Sequence, residues 1–413
     1  MPAPSRALVL QLARFGDLVQ TRRLIASLLA DGRETHLLVD HSLVPLARLV
    51  HPECEVHGVA AHALPAPAAV LAEVRRTVEA LRALEFQTIY ALNFSPLAEA
   101  LVAAFPEAHC RGYAWRQGQL LRAPWLSLAF RWAGRRAVAP CNLADLWAHL
   151  HEDPLAPSLV NPPAAPKGGG LGVVMAGRNA RRSLPPSVLA GCVAALVHRL
   201  GKSVPIHLLG STAESAAARA LLEALPRNLR GQARDVTGRT DWAALHGLVG
   251  GLDCVLTPDT GVMHLAARLG VPVVATFLSS AWAWETGPYG QGHTVWQATL
   301  ECAPCLESQP CHHRTACLAP FSDRALLRLL SMDKGDPPAG VVRLASTLDE
   351  LGCDFTATAG QDPHAASRRR WRETVMADRR LAAQISPGAA AVAEHLYQEP
   401  DWTVHAQGCT EAC

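Results

Sequence analysis

The chain has 413 residues, of which 49% are hydrophobic and 18% are charged, and its formal net charge is +2. Because this length exceeds what one hydrophobic core usually organises, we expect two globular domains. The small net charge argues against nucleic acid as a partner. No apolar run is long enough to span a membrane and the start lacks a signal-peptide pattern, so we expect a cytoplasmic protein with at most peripheral membrane contact.

The first predicted strand, residues 7–12, leads into a loop and then into an amphipathic helix over residues 18–30. Arg14, Gly16 and Asp17 occupy this loop, at the carboxyl end of the strand, where open α/β sheets bind their ligands. Gly16 permits a tight turn that directs Asp17 into the crevice. On position alone, a loop aspartate that caps the following helix is the more ordinary interpretation.

Further strands and helices alternate along the first part of the chain. They are predicted at residues 35–39 (strand), 43–50 (helix), 68–84 (helix), 88–92 (strand) and 96–104 (helix). This alternation is typical of a parallel, doubly wound sheet. Asn93 follows the last of these strands at the same edge as Asp17, where it either lines the same pocket or starts a turn.

Residues 111–136 combine six arginines and three tryptophans with no acidic residue. Arginine forks bind phosphate and carboxylate groups, and tryptophan suits a sugar face or a membrane interface. The segment therefore fits a surface for a phosphorylated, lipid-anchored saccharide, with Arg116 and Arg122 as contacts. A basic solvated face over apolar packing fits it equally well.

A linker separates the two halves of the chain. Residues 153–170 contain five prolines and end in three glycines, a composition typical of connections rather than of packed elements. We therefore expect a first domain over 1–155, a linker over 156–170 and a second domain over 171–330. A C-terminal extension over 331–413 follows, and the sequence assigns it no role.

The second half repeats the alternation. Strands are predicted at 171–176 and 205–209, helices at 188–200 and from 241, a strand–helix–strand unit at 254–277 and a basic helix near 367–384. Asp259, Thr260 and Gly261 fall where the first strand of the 254–277 unit gives way to its helix, and His264 lies one turn further on. Because a helix start offers unpaired N–H groups and a positive dipole end, this cluster suits a phosphate. An ordinary capped turn has the same sequence features.

Two motifs together resemble those of a known family. Residues 258–270, Pro-Asp-Thr-Gly-Val-Met-His-Leu-Ala-Ala-Arg-Leu-Gly, are similar to the nucleotide-sugar signature of glycosyltransferase family 9, the heptosyltransferases. Residues 14–19, Arg-Phe-Gly-Asp-Leu-Val, are similar to the N-terminal Gly-Asp loop of that family. The resemblance implies the GT-B architecture, in which two Rossmann-like, doubly wound α/β domains face each other across a cleft.

The resemblance also implies roles for individual residues. Asp17 matches the general base of the family. The implied donor-binding residues are Arg182, Glu214, Thr240, Asp259, Thr260, Gly261 and His264. The predicted acceptor-binding residues are Arg14 and Gly16 of the Gly-Asp loop, with Asn93 added from its position and Arg116 and Arg122 from the composition of their segment. Arg181 is a near rival of Arg182, whereas Glu214 and Thr240 also fit ordinary helix-start and helix-cap roles. The chain departs from the family where it has Thr21-Arg22-Arg23 for Thr-x-Pro and Leu184 for tryptophan.

The implied reaction is inverting transfer of heptose from ADP-heptose to a lipid-anchored acceptor of the lipopolysaccharide core, at the cytoplasmic face of the inner membrane. No Asp-x-Asp pair occurs, so a metal or other catalytic cofactor is not needed to explain departure of the nucleoside diphosphate, which a helix dipole and arginine can stabilise. Alternatives are transfer from another nucleotide sugar, a nucleotide-sugar epimerase, and a non-catalytic protein that retains the nucleotide-sugar site.

Four of the twelve cysteines are clustered within residues 302–317 in a C-x2-C-x5-C-x5-C pattern, with two histidines alongside. The cluster comprises Cys302, Cys305, Cys311 and Cys317. Spacing of this kind can enclose a structural zinc or, less commonly, an iron–sulfur cluster, and it resembles a Cys-rich segment of the family. Free thiols or disulfides are the alternative.

Overall fold

A computed structural model describes residues 5–61, 67–116, 119–123, 125–126, 128, 135–175, 180–201, 203–306 and 309–377. The chain divides into two compact units. Unit 1 comprises the described residues of Met1–Arg135, Leu143–Ala156 and Glu373–Cys413, and unit 2 comprises those of Arg136–Asn142 and Pro157–Arg372. Each unit is built around its own sheet.

The sheet of unit 1 contains six strands. They are β1 (Arg6–Leu10), β2 (Glu34–Asp40), β3 (Glu55–Val59), β4 (Thr88–Ala91), β5 (His109–Arg116) and β6 (Gln119–Arg122). Their order is β3-β2-β1-β4-β5-β6, with β1 to β5 parallel and β6 antiparallel to β5. Residues 7–10 of β1 have no exposed surface. Such a continuous apolar run is typical of a parallel strand that is covered on both faces.

Helices follow these strands in unit 1. They are α1 (Phe15–Gln20), α2 (Arg22–Ala30), α3 (Val44–Val50), α4 (Pro67–Arg82), α5 (Pro96–Ala103) and α6 (Leu143–Ala148). The helix predicted over 18–30 is in fact two helices: α1 ends before Thr21, whose N–H and hydroxyl both donate to the Leu18 carbonyl, and α2 begins at Arg22. A buried ion pair between Arg23 and Asp145, at 2.6 Å, joins α2 to α6.

The sheet of unit 2 contains eight strands. They are β7 (Leu171–Val174), β8 (Ile206–Leu209), β9 (Ala233–Asp235), β10 (Cys254–Thr257), β11 (Val273–Phe277), β12 (Thr294–Ala298), β13 (Val341–Leu348) and β14 (Cys353–Ala359). Their order is β14-β13-β12-β11-β10-β7-β8-β9, and β7 to β12 are parallel. The antiparallel hairpin β13-β14 extends the sheet, so residues 341–359 of the extension form part of this unit.

The helices of unit 2 complete the alternation. They are α7 (Pro186–Leu200), α8 (Ser215–Ala224), α9 (Arg227–Arg230), α10 (Trp242–Gly250), α11 (Gly261–Arg268), α12 (Ala283–Thr286), α13 (Arg324–Met332) and α14 (Ala365–Ala377). Helix α14 begins in unit 2 and ends in unit 1. Within the described ranges, no helix is both long and apolar enough to cross a membrane.

Each sheet has a point at which the strand order reverses, between β1 and β4 in unit 1 and between β7 and β10 in unit 2. Ligands of doubly wound sheets bind beyond the carboxyl ends of the strands at such points. The Gly-Asp loop follows β1, and the Asp-Thr-Gly cluster follows β10. The predicted fold class, α/β with two Rossmann-like doubly wound sheets, is confirmed.

Candidate active site

The start of α11, at the switch point of unit 2, has the features of an anion site. Thr260 caps this helix: its backbone is extended (φ −148°, ψ 164°), and its hydroxyl accepts a hydrogen bond from the Met263 N–H. The first turn contains no acidic residue. Because the cap is a neutral hydroxyl, the positive end of the helix dipole is available to a ligand, and Gly261 places no side chain in its way.

Asp259, the residue before the cap, faces three side chains from other parts of unit 2. Its Oδ2 accepts hydrogen bonds from Arg182 Nη1 at 3.3 Å and from the Thr286 hydroxyl at 2.9 Å. Its Oδ1 lies 3.8 Å from His264 Nε2. The side chains of Asp259 and Arg182 are only 9% and 15% exposed. The Asp259 carboxylate therefore positions the Arg182 guanidinium and lies near the His264 ring, beside the start of α11, where both groups can bind a diphosphate.

Glu214 performs the ordinary structural role that the sequence left open. Its Oε2 accepts hydrogen bonds from the N–H and the hydroxyl of Ser211, each at 2.7 Å, in a capping box. The neighbouring loop approaches closely at Gly238, where φ is +67° and a Cβ would lie 2.5 Å from Thr212 Oγ1. The loops after β8 and β9 are thus in contact, and both lie at the carboxyl edge of the sheet.

Thr240 does not cap the helix that follows it, so that interpretation is wrong. Helix α10 is capped by Asp241, whose carboxylate accepts the Ala244 N–H at 2.8 Å. The cap conformation falls one residue later than expected because aspartate satisfies the orphan N–H at that position. Thr240 keeps its place in the loop after β9, where its assignment as a nucleoside contact stays a prediction.

In unit 1, Asp17 belongs to the first turn of α1, and Gly16 precedes it in the same turn. Asp17 Oδ2 accepts hydrogen bonds from the backbone N–H of Arg14 at 3.2 Å and from Arg14 Nε at 3.4 Å. The Asp17 side chain is 18% exposed, and that of Arg14 is 39% exposed. Asp17 therefore does serve as a helix-start acid, and it also keeps access to solvent at the switch point.

Asn93 is buried and holds the loop that leads to Asp17. Its side-chain oxygen accepts the Leu12 N–H at 2.5 Å, and its amide nitrogen donates to Gln11 Oε1 at 2.6 Å. Only 7% of Asn93 is exposed. These contacts join the end of β4 to the end of β1, so Asn93 acts as a positioning residue for the Gly-Asp loop.

The basic segment 111–136 is described in part. Arg122 is half-buried at the end of β6, where it pairs with Tyr113 of the neighbouring strand β5. Arg116 lies at the end of β5, and its side chain falls outside the described residues. The acceptor roles of both arginines stay predictions.

All four clustered cysteines line one cavity of about 300 Å³ in unit 2 and are free thiols. Arg181 Nη2 donates to Cys305 Sγ at 3.5 Å, and the Thr315 N–H donates to Cys311 Sγ at 3.3 Å. Burial raises the pKa of Cys305, whereas the N–H groups of Thr315 and His313 lower the pKa of Cys311. Across the described ranges, no group of three or more His, Cys, Asp or Glu side chains is placed to hold a metal ion. The geometry therefore gives the zinc prediction no support, and two of the four sulfurs, those of Cys305 and Cys311, accept hydrogen bonds from the protein.

Sequence reasoning missed Thr286 and the residues that hold it. Arg136 forms a forked ion pair with Glu285, at 2.8 Å for the shortest contact, and also donates to the carbonyls of Ser280 and Cys305. Glu285 immediately precedes Thr286, whose hydroxyl reaches Asp259. No local pattern marks these residues, because their contacts span 27 to 169 positions along the chain.

Comparison with known proteins indicates the class of protein to which this chain is similar. Residues 193–315 match the model of glycosyltransferase family 9 (heptosyltransferase). The structure is similar to Escherichia coli ADP-heptose LPS heptosyltransferase II, with 18% identity, a TM-score of 0.53 and coverage of 70% of this chain and 89% of that one. A family 9 glycosyl transferase from Veillonella parvula is 14% identical, with a TM-score of 0.56 and coverage of 71% of this chain and 86% of that one. E. coli heptosyltransferase WaaC with ADP is 17% identical, with a TM-score of 0.53 and coverage of 71% of this chain and 93% of that one. No curated protein matches the chain.

The two doubly wound sheets and these structural likenesses define the GT-B fold class. The family-model match over residues 193–315 adds the activity, that of a glycosyltransferase. The resemblance to glycosyltransferase family 9 is confirmed: residues 193–315 match the model of that family, and this range includes α11, Asp259 and Thr286 but not Arg182.

Proposed function

We propose that this glycosyltransferase transfers heptose from ADP-heptose to a lipid-anchored acceptor of the lipopolysaccharide core. The observation that carries the proposal is the corner at α11, where a threonine-capped helix start meets Arg182 and His264 around Asp259. Such a corner suits a diphosphate. The choice of ADP and heptose is supported by the solved relatives, one described with ADP and one as an ADP-heptose heptosyltransferase.

The donor diphosphate would lie over the N-terminus of α11. Arg182 would exchange part of its contact with Asp259 for a phosphate oxygen, and the Thr286 hydroxyl would keep the carboxylate in place during that exchange. As the bond between the anomeric carbon and the phosphate oxygen breaks, negative charge grows on the leaving nucleoside diphosphate. Fixed cations and helix N–H groups stabilise that charge without reorganisation.

Asp17 would act as the general base. In a single displacement, its carboxylate takes the proton of the acceptor hydroxyl while the hydroxyl oxygen attacks the anomeric carbon, which inverts the configuration. Its hydrogen bond from the Arg14 N–H fixes the orientation of the carboxyl group. The same loop, together with Arg14, Arg116 and Arg122, would face the acceptor. The proposed location is the cytoplasmic face of the inner membrane, with peripheral contact.

The Cys cluster is a separate prediction within this proposal, since a structural zinc there would stabilise the segment rather than take part in transfer. Metal analysis of the purified protein tests it. One zinc per chain, together with a lower unfolding midpoint after chelation, would establish the site. Metal-free protein whose unfolding midpoint is unchanged by chelator would refute it.

Calorimetric titration with ADP, UDP, GDP and CMP tests the proposed donor. We expect ADP to bind most tightly, and ADP-heptose with a lipid A–core acceptor then to give a product of inverted configuration. Tighter binding of another nucleotide would overturn the ADP-heptose assignment while leaving glycosyl transfer intact. Binding of ADP without transfer to any acceptor would favour the non-catalytic alternative.

A further inference from the structure

Helix α12 carries the hydroxyl that holds the carboxylate of the donor corner. The helix has only four residues, and its last, Thr286, donates to Asp259 at 2.9 Å. So short a helix is not stable by itself, and its position depends on contacts with the rest of unit 2. One such contact comes from the sheet, where Gln297 Oε1 accepts the Ala283 N–H at 3.0 Å. The orientation of Thr286 is therefore set by tertiary packing.

The C-terminal extension, to which the sequence assigned no role, packs directly on α12. In the middle of the helix, Trp284 donates from Nε1 to the carbonyl of Phe355, in β14, at 3.1 Å. The guanidinium carbon of Arg368, in α14, lies over the Trp284 ring, 3.3 Å from its centroid. Trp284 and Arg368 are only 2% and 3% exposed. Because the pair is desolvated, this cation–π contact is of the stronger kind.

Arg368 also supports the segment that holds the next residue of α12. Its Nη2 donates to the Ala137 carbonyl at 2.9 Å, and its Nη1 pairs with Asp362 at 2.6 Å. Arg136, which precedes Ala137, forms the forked ion pair with Glu285. One buried guanidinium thus supports two consecutive residues of α12, the first by stacking and the second through Arg136.

We propose that Arg368 of the C-terminal extension is a positioning residue of the donor corner. It holds α12 in the place from which Thr286 reaches Asp259, and Asp259 in turn directs Arg182 toward the diphosphate. The proposal rests on the proposed function only in that the corner binds a nucleoside diphosphate, and it is independent of the sugar and the acceptor. The extension then contributes to donor binding through α12 rather than by contact with the donor.

A double-mutant cycle on ADP affinity tests whether Arg368 acts through Thr286. Arg368→Lys keeps the positive charge, but an ammonium cannot stack on Trp284 and donate to Ala137 in the same geometry. We expect ADP to bind about tenfold more weakly to Arg368→Lys and to Thr286→Val, as measured by calorimetry. The double variant should bind ADP no more weakly than Thr286→Val alone, because the same interaction is lost only once. Wild-type affinity in Arg368→Lys, or losses that add in the double variant, would overturn the proposal.

Arg343→Lys is the matched control for a general loss of packing in the extension. Arg343 lies in β13, 6.0 Å from the centroid of the Trp296 ring, and pairs with Asp333 rather than with a residue of α12. This variant should bind ADP as the wild type does, even if its unfolding midpoint falls as far as that of Arg368→Lys. Equal losses of ADP affinity in the two variants would indicate a purely structural effect and contradict a positioning role.

Amide hydrogen exchange of the ligand-free protein separates this proposal from the proposed function. We expect peptides covering residues 259–264 and 282–287 to exchange faster in Arg368→Lys than in the wild type, and at the wild-type rate in Arg343→Lys. If the wild type bound none of ADP, UDP, GDP and CMP, the proposed function would fail, and the exchange rates alone would decide whether Arg368 positions the corner. Wild-type exchange of both peptides in Arg368→Lys would overturn the positioning role in either case.

Discussion

The loops after β1 and β10 are the corresponding switch-point loops of the two units, yet the helices that follow them begin differently. In unit 1, Asp17 lies inside the first turn of α1 and its carboxylate accepts the Arg14 N–H. In unit 2, Thr260 caps α11 with a neutral hydroxyl, and Asp259 turns to side chains from distant parts of the unit.

The difference shows how one architecture yields two kinds of chemistry. A carboxylate in the first turn cancels the positive end of a helix and makes it a poor anion site, but leaves a base at the sheet edge. A hydroxyl cap leaves the positive end of the helix free, and Asp259, the acid before the cap, accepts a hydrogen bond from Arg182 instead. Proton transfer is thus expected at α1 and diphosphate binding at α11.

The largest expected effect comes from Asp17→Asn. Asparagine can still accept the Arg14 N–H but cannot take a proton, so kcat should fall by about a thousandfold, in the range for loss of a general base, while ADP affinity stays unchanged. Steady-state kinetics and calorimetry measure the two effects.

Asp323→Asn is the control for Asp17→Asn, because Asp323 caps α13 by accepting the Ala325 N–H at 2.7 Å. It should retain wild-type kcat. If Asp17→Asn transferred the sugar at the wild-type rate, Asp17 would have only a capping role, and the proposed difference in chemistry between the two loops would be wrong.

A smaller effect, on binding, is expected for Arg182→Met. Loss of one charge-assisted contact to the diphosphate should weaken ADP binding by about 10- to 100-fold. Arg181→Met is the matched neighbour and should leave ADP affinity unchanged, since Arg181 contacts Gln309 and Cys305 instead of Asp259. A larger loss of ADP affinity in Arg181→Met than in Arg182→Met would reverse the assignment of the two arginines.

The smallest expected effect comes from the cap itself. Thr260→Val removes the hydroxyl that accepts the Met263 N–H and should cost about 1 kcal/mol of unfolding free energy, measured by urea denaturation. Thr260→Asp keeps a capping oxygen and makes α11 resemble α1, so it should retain stability but weaken ADP binding by repulsion. Undiminished ADP affinity in Thr260→Asp would show that the neutral cap does not matter for the anion site.

Much of the fold could be predicted from local pattern. Apolar runs such as residues 7–10 and 254–257 predict buried strands, and the turn at Asp259–Gly261 predicts the start of α11, because periodicity and capping are properties of neighbouring residues. The break at Thr21 and the cap at Asp241 were missed, since several adjacent polar residues can each end or begin a helix. The hairpin over 341–359 was also missed, because its place is set by pairing with β12 rather than by its own sequence.

The sequence by itself determined the two switch-point loops, the family resemblance and the alternation of strands and helices around these loops, since each depends on residues that are close along the chain. Only the tertiary structure decided that Thr286, 27 positions away, would join Arg182 on Asp259, and that Asn93 would hold the Gly-Asp loop. Side-chain contacts across such separations depend on how the strands pack side by side, and no local pattern encodes that packing.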